Sequence, residues 1–215
     1  LKPLNNPVLK FYVLTIVVAA LLVSLSLKMS SAGFSWGESF MTGIFQVVSA
    51  ISTTGFAISD NNTWPLFACI VTVLITVPCA MAGSTTGGVK ADRMLLMFKT
   101  IGQQIKNSVH PSSINQVHIG NHILANNEIY PHIVFIGLYF ITIAASMALT
   151  ILSGMDVQNA LASSISSLSN VGPALESVGT LGNYNSIPVM AKVVFIIDMF
   201  MGRVEIYPVL AVVMM

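Results

Sequence analysis

The pattern of hydrophobic and polar positions divides the chain into four long apolar stretches and two shorter, more polar ones. The long stretches are Phe11–Leu27, Trp64–Met81, Ile129–Leu152 and Ile187–Met215. About 20 apolar residues cross the roughly 30 Å hydrocarbon core of a bilayer, so each long stretch is predicted to span a membrane. We expect the first to be a retained span rather than a cleaved signal peptide, because no small-residue cleavage site follows it.

The two shorter stretches are Trp36–Ser52 and Asp156–Ser169, which have polar starts and many Ser, Thr, Ala and Gly residues. They are too short and too polar to face lipid, so we predict re-entrant helices that are buried among the spans. The first stretch begins near Glu38 and Ser39, and the second begins near Asp156. Acidic residues and Ser in the first turn are typical of helix N-termini.

Each re-entrant helix is followed by a glycine-containing segment and then by another span, which indicates an internal repeat. Placing Ser49–Ser52 on Ser166–Ser169 puts Gly55 on Gly172. The predicted fold is an all-α integral membrane protein with tandem parallel repeats of span, re-entrant pore helix and span, of the potassium-channel-like type. The first repeat covers residues 1–107, in which glycines break the second span. A cytoplasmic connector covers 108–128, and the second repeat covers 129–215.

Composition supports a membrane protein and excludes other classes. The chain is 54% hydrophobic and 8% charged, with a mean hydropathy of +0.81, whereas soluble domains carry about 25% charged residues. The net charge of +1 argues against nucleic-acid binding, which needs a basic face. We expect no enzyme activity, because carboxylate pairs, metal sets and nucleophile–base pairs are missing at useful spacings. Cys69 and Cys79 are predicted to be small core residues.

The distribution of basic residues predicts the orientation of the repeats. Lys2 and Lys10 precede the first span, and a basic group follows the second: Lys90, Arg93, Lys99 and Lys106. By the positive-inside rule, both termini and the loop 99–128 lie in the cytoplasm. The re-entrant helices then enter from outside in both units, so the repeat is parallel. Parallel units disfavour an inverted-repeat solute symporter.

The segments after the re-entrant helices are candidates for a cation filter. A helix that runs inward ends with its negative dipole near the middle of the membrane, where it favours a cation. Backbone carbonyls of the following segment replace water around the ion, and glycine permits the necessary turn. The predicted filter residues are Thr53, Thr54, Gly55, Phe56, Asn170, Val171, Gly172 and Pro173. The alternative is that both glycines only cap helices.

A glycine-rich run interrupts the second span between Met81 and Lys90. Its members are Gly83, Ser84, Thr85, Thr86, Gly87 and Gly88. Each glycine costs a helix about 1 kcal/mol relative to alanine, and a broken helix inside a membrane is tolerated where it lines a cavity. The alternative is a plain hinge or kink. A phosphate-binding loop is excluded, because the Gly-Lys-Ser/Thr ending of that motif is missing.

Arg203 is the most informative single charge, because it lies within the last apolar stretch. A charge at the bilayer centre costs at least about 2.5 kcal/mol, so this side chain is expected to face protein or water. Pairing with Asp198 or Glu205 is the alternative. Their offsets of five residues back and two forward do not place them on one helical face, so a role beside the ion path is favoured.

Taken in order, four segments resemble a known family. They are Ser52-Thr53-Thr54-Gly55-Phe56, Ala82-Gly83-Ser84-Thr85-Thr86-Gly87-Gly88-Val89-Lys90, Asn170-Val171-Gly172-Pro173 and Met201-Gly202-Arg203-Val204-Glu205-Ile206. Over nearly its whole length the chain resembles the Trk/Ktr/HKT superfamily of potassium transporters, closest to the bacterial TrkH and KtrB branches. The family has four such repeats around one ion path, and this chain resembles the third and fourth.

The resemblance implies potassium uptake through the pore, with potassium as the substrate and no other cofactor. It places the ion at Thr54, Gly55, Val171 and Gly172, makes 83–88 an intramembrane gating loop, and sets Arg203 beside the path. It also implies a bacterial inner-membrane location. The expected partners are lipid, the two missing repeats from the same or another chain, a second copy in a homodimer, and a cytosolic nucleotide-binding ring. The alternative is a non-conducting scaffold or assembly subunit, or a fragment that conducts only with the other repeats.

Overall fold

The computed structural model describes residues 5–30, 33–110, 117–119, 122–175, 178–180 and 182–213. Within these ranges the chain is predominantly helical. The helices are α1 (Pro7–Met29), α2 (Trp36–Ile51), α3 (Leu66–Ile75), α4 (Ala91–Val109), α5 (Asn126–Leu152), α6 (Val157–Ser169), α7 (Val189–Val204) and α8 (Ile206–Val213). The strands are β1 (Pro78–Cys79), β2 (Val89–Lys90), β3 (Val117–Ile119) and β4 (His122–Leu124).

Two helices, α1 and α5, are long and apolar enough to cross a membrane. Asn6 begins α1, because its side chain accepts a hydrogen bond from the backbone of Val8 at 2.9 Å, and Pro7 occupies the first helical position, where its missing N–H costs nothing. Helix α1 extends beyond both ends of the first predicted span and α5 beyond the start of the third, so a long apolar helix is confirmed at each position.

The two short helices begin where the sequence predicted, and α6 is largely buried, whereas α2 buries one face and exposes apolar side chains such as Trp36 and Met41 on the other. Ser35 and Glu38 form a capping box at α2, with hydrogen bonds of 2.8 and 3.2 Å. At α6 the carboxylate of Asp156 accepts a hydrogen bond from the backbone of Gln158 at 3.0 Å. Such side chains satisfy backbone N–H groups that have no partner within the helix. Helix α2 packs against α1, and α6 packs against α7 and α5.

The second predicted span, Trp64–Met81, is wrong as a continuous helix. Helix α3 covers only 10 residues and ends at Ile75. Pro78 explains the early end, because proline disfavours the helical conformation of the residue before it. The chain continues into β1, which pairs in parallel with β2 through Pro78–Val89 and Cys79–Lys90. The glycine-rich run therefore forms the connection between two short paired strands, and a helix resumes at Ala91, close to the predicted Lys90.

The fourth predicted span, Ile187–Met215, is also wrong as a single helix. It consists of α7 and α8, which are separated at Glu205, a residue with φ 69°. Pro208 accounts for the break, because a proline ring collides with the carbonyl four residues earlier, here that of Val204. The last two residues of this prediction, 214–215, lie outside the described residues.

The connector is not an irregular loop throughout, so the all-α prediction needs a correction. Helix α4 continues to Val109, and the described part of the connector forms an antiparallel hairpin of β3 and β4. A small apolar cluster of Leu96, Val117 and Ile129 joins the hairpin to α4 and α5. Two short two-stranded sheets therefore accompany the helices.

The main hydrophobic clusters show how the helices pack. One cluster joins α1, α2 and α3, a second joins α5, α6 and α8 to Val77 and Val89, and a third joins α6 and α7. Cys69 and Cys79 are free and buried, which confirms that they are core residues. The segments that follow α2 and α6 lie where these clusters meet.

Candidate ion-conducting site

The segment after α2 turns sharply out of the helix. Thr53 and Gly55 have φ angles of 55° and 76°. The backbone N–H of Thr53 donates to the carbonyl of Ala50 at 3.1 Å, and that of Thr54 donates to the carbonyl of Ser49 at 2.9 Å. The hydroxyl of Ser49 then donates to the carbonyl of Phe56 at 2.7 Å. One serine of α2 thus fixes the far end of the segment.

The segment after α6 has the same arrangement at the equivalent positions. Asn170 and Gly172 have φ angles of 59° and 104°. The N–H groups of Asn170 and Val171 donate to the carbonyls of Ser167 and Ser166 at 3.1 and 3.0 Å. The Ser166 hydroxyl donates to the carbonyl of Pro173 at 2.7 Å. The two segments therefore match in backbone conformation and in hydrogen bonding.

These hydrogen bonds determine which backbone carbonyls are available to coordinate an ion. The carbonyls of Phe56 and Pro173 accept hydrogen bonds from the serine hydroxyls of α2 and α6 and point back toward these helices, so they are the weakest members of the predicted filter set. The carbonyls within 53–55 and 170–172 are the remaining candidates, and among them that of Gly172 also accepts a hydrogen bond from a side-chain hydroxyl, that of Tyr184 outside the two helices. The two segments also touch, because a Cβ built on Gly55 would collide with the carbonyl oxygen of Val171. Gly55 is required there by both its left-handed φ and this contact.

Asn61 joins the loops that follow the two segments. Its side-chain amide donates to the carbonyl of Ala174 at 2.8 Å, and its side-chain oxygen accepts from the backbone N–H of Thr180 at 3.1 Å. The Thr180 hydroxyl accepts from the N–H of Asn61 at 3.0 Å and donates to the carbonyl of Ser59 at 2.8 Å. We call these contacts the Asn61 bridge. Asn61 is buried, so the four hydrogen bonds of the bridge satisfy polar groups that water would otherwise have to reach.

The glycine-rich run packs directly against the end of α6. A Cβ on Gly87 would lie 2.6 Å from the side-chain nitrogen of Asn170 and 2.9 Å from the carbonyl of Ser169. A Cβ on Gly202 of α7 would collide with the carbonyl of Leu168. The run and α7 both approach the second segment through glycines, because any larger residue would separate them from it.

Arg203 lies in the last turn of α7, where its side chain is exposed and its Nη1 donates to the carbonyl of Thr85. The alternative ion pairs are not found among the described residues. Asp198 accepts from the hydroxyl of Ser146, and Glu205 binds Lys90 and Arg93, each at 3.1 Å. Arg203 is therefore joined to the glycine-rich run itself.

Several residues of this site escaped the sequence reasoning. The repeat alignment already paired Ser49 with Ser166, and that pairing could have revealed their common role. Glu205 fixes the α7–α8 break to the start of α4 through Lys90 and Arg93, and Pro208 was the signal for that break. Asn61 has no local signal, because its partners lie more than 110 residues away.

A cavity of about 400 Å³ opens beside the second segment. Its walls include Val171, Gly172, Tyr184, Lys192 and Phe195. In the described part of the chain, no group of three His, Cys, Asp or Glu side chains is placed to hold a metal. A dehydrated ion at this site would meet backbone carbonyls rather than carboxylates.

Known proteins place this arrangement in a family. Residues 7–215 match the model of the TrkH family, which is described as a cation transport protein. The chain belongs to the TrkH family. This membership agrees with the expectation that the protein is a transporter and not an enzyme.

Individual relatives agree with the family match. The chain is 32% identical over 195 residues to the Trk system potassium uptake protein TrkH of Escherichia coli (strain K12), covering 91% of this chain and 39% of that protein. It is 29% identical over 198 residues to the Trk system potassium uptake protein TrkI of Halomonas elongata, covering 92% and 40%. The chain thus spans about two fifths of the length of these curated relatives.

A solved TrkH structure has the same fold over nearly the whole chain. The crystal structure of the potassium transporter TrkH from Vibrio parahaemolyticus superposes with a TM-score of 0.88 at 27% identity, covering 96% of this chain and 44% of that one.

Proposed function

We propose that this chain forms part of the wall of a potassium-uptake pore, with the segments 53–56 and 170–173 as its ion filter. The observation that carries the proposal is the match between the two segments, which share left-handed positions and hydrogen bonds and touch at Gly55 and Val171. Irregular backbone at the end of buried helices is expected where it lines a cavity. Two plain helix caps would not need to meet.

Potassium is the proposed ion, and its contacts are Thr54, Gly55, Val171 and Gly172. The support is twofold. The named relatives are potassium uptake proteins, and carbonyl oxygens without carboxylates suit a monovalent cation that gives up its water.

The run Gly83–Gly88 is the proposed gate, and Arg203 is the proposed pore charge that adjoins it. The run packs against Asn170 at the end of the second filter helix, and Arg203 donates to its Thr85 carbonyl. A change in the position of the run would therefore alter the space directly beside the filter.

The proposed setting is the bacterial inner membrane, with both termini and the segment 99–128 in the cytoplasm. Residues 1–107 and 129–215 are the proposed repeats, and two further repeats of the same or another chain complete the pore. A second copy and a cytosolic nucleotide-binding ring are the proposed partners, the ring on the cytoplasmic connector. The alternative is a non-conducting assembly subunit, and the following experiment distinguishes it from a conducting pore.

The test is rubidium uptake, with potassium and sodium as competitors, in cells that lack their own potassium uptake. Gly55→Asp is compared with Gly154→Asp at matched membrane levels. Gly154 also has a left-handed φ, 100°, at the end of a helix, but a side chain there meets nothing within 4 Å. The control therefore reproduces the backbone strain without the filter contact.

We expect the unmodified protein to take up rubidium and potassium to block this uptake. We expect Gly55→Asp to abolish the uptake and Gly154→Asp to retain it. Full uptake by an inserted Gly55→Asp variant would contradict the filter assignment. Absence of uptake from well-inserted unmodified protein would favour the alternative, either a non-conducting assembly subunit or a fragment that conducts only with the other repeats.

A further inference from the structure

The second filter segment has a side-chain contact that no sequence pattern indicated. The phenol hydroxyl of Tyr184 donates to the carbonyl of Gly172 at 2.8 Å. Gly172 is one of the four proposed potassium contacts, so this hydroxyl touches the proposed filter itself.

Packing fixes the position of the Tyr184 ring. The ring meets that of Phe195 edge to face, with centroids 6.0 Å apart and planes at 80°. Phe195 is buried in the core of α7, and edge-to-face pairs of aromatic rings are favourable. The contact with Phe195 thus restrains the Tyr184 ring that carries the hydroxyl, and both rings line the cavity beside the filter.

The two filter glycines differ in this contact. Both have left-handed φ angles, and both are followed by a residue whose carbonyl accepts from a pore-helix serine. Among the described residues, only Gly172 of the two receives a side-chain hydrogen bond on its own carbonyl. The two segments therefore have the same backbone conformation, but their glycine carbonyls differ, because only that of Gly172 accepts a hydrogen bond from a side chain.

We propose that Tyr184 is a positioning residue of the filter, which restrains the Gly172 carbonyl and thereby favours potassium over sodium. The inference rests on the proposed function. Selectivity among alkali cations depends on the spacing of the carbonyls and on the field that they present. A carbonyl that accepts a hydrogen bond shares its electron density and cannot turn inward freely. Without the hydroxyl, the Gly172 carbonyl is free to approach a smaller ion.

The experiment replaces Tyr184 by Phe in the full chain, which removes the hydroxyl and keeps the ring against Phe195. Tyr207→Phe is the matched control. The Tyr207 hydroxyl also donates to a backbone carbonyl, that of Pro131, at 2.7 Å, and its ring also packs on a phenylalanine, Phe135, at 5.7 Å. Tyr207 belongs to α8 and takes no part in the filter.

The measured quantity is the ratio of sodium to potassium concentrations that half-inhibit rubidium uptake, at matched membrane levels. We expect Tyr184→Phe to lower this ratio about fivefold, the size expected for one neutral hydrogen bond, and Tyr207→Phe to leave it unchanged. A purely structural role would reduce uptake and leave the ratio as it was. An unchanged ratio in an active Tyr184→Phe variant overturns the proposal.

A second measurement tests the proposal if the Tyr184→Phe variant is inserted in the membrane but has no uptake activity. Ions that bind the folded protein raise its melting temperature, so the purified variants are heated in potassium and in sodium chloride. We expect the difference between the melting temperatures in potassium chloride and in sodium chloride to be smaller for Tyr184→Phe than for the unmodified protein. An equal difference in the two proteins overturns the inference. The proposed function fails separately, through absent uptake by the unmodified chain or through retained uptake by Gly55→Asp.

Discussion

At the scale of single residues, three hydroxyl groups and one guanidinium determine the surroundings of the candidate filter. Ser49 and Ser166 bind the carbonyls that follow the filter glycines, and Tyr184 binds the carbonyl of Gly172. Arg203 binds the glycine-rich run through Thr85. Each of these side chains acts on a backbone carbonyl, which is the group that a cation filter employs.

Replacement of Arg203 by Ala is expected to raise rubidium uptake at saturating external ion about fivefold. The change removes a unit charge beside the path, which is worth about 1 kcal/mol at a few ångströms in water, and it also frees the Thr85 carbonyl. Lys28→Ala is the control, because Lys28 of α1 is a cation that also donates to a backbone carbonyl, that of Phe34 at 3.1 Å, and it does not line the cavity beside the filter. Equal uptake by both variants would remove Arg203 from the ion path.

At the scale of elements, the broken helices distinguish this chain from a simple bundle of spans. Helix α3 ends at Ile75 and α7 ends at Val204, in each case shortly before a proline. The interruptions meet at the cytoplasmic side of the candidate filter in our proposed orientation, because Glu205 binds Lys90 and Arg93 at the start of α4. The run 83–88 is thus connected to both α4 and α7.

Deletion of Ser84 and Thr85 is expected to raise basal rubidium uptake, because a shorter run cannot occupy the space beside Asn170. The control keeps the length of the run and replaces Ser84 and Thr86 by Ala, which removes only their mutual hydrogen bond of 2.7 Å. Basal uptake is measured at matched membrane levels. If the deletion and the control give the uptake of the unmodified chain, the run is a hinge and not a gate.

At the scale of the whole molecule, the Asn61 bridge joins the two proposed repeats behind the filter. It connects the loop after the first segment to Ala174 and Thr180 after the second. The relative position of the segments therefore depends on one buried amide as well as on the apolar clusters. Similar control by a single buried polar group is known where a core must adopt one arrangement.

Replacement of Asn61 by Ala is expected to lower the free energy of unfolding by about 2–3 kcal/mol, because buried partners on Thr180 and Ala174 lose their hydrogen bonds. Asn62→Ala is the control, since Asn62 is exposed and exposed substitutions usually change stability by less than about 0.5 kcal/mol. The melting temperature of the purified protein in detergent reports the difference. Equal melting temperatures would mean that the bridge does not stabilise the fold.

Much of the candidate site was predictable, because local rules act on it. Ser35, Glu38 and Asp156 begin the short helices as their residue types indicate, and the repeat alignment paired Gly55 with Gly172. The interruption of the second span was predicted at the glycine-rich run and so placed after the end of α3 at Ile75, and the break at Glu205 was missed, because the apolar pattern continues through both positions. Pro78 and Pro208 end the helices by steric conflict, which hydropathy does not measure.

The sequence by itself determined the long apolar helices α1 and α5, the starts of α2 and α6, and the two glycines at equivalent positions. These follow from hydrophobic length, capping chemistry and backbone freedom, which act within a few residues. Only the tertiary structure decided that Gly55 meets Val171, that Tyr184 binds Gly172, and that Arg203 reaches Thr85. Contacts between distant segments depend on how the helices pack, and the residues next to each contact in the sequence do not indicate that packing.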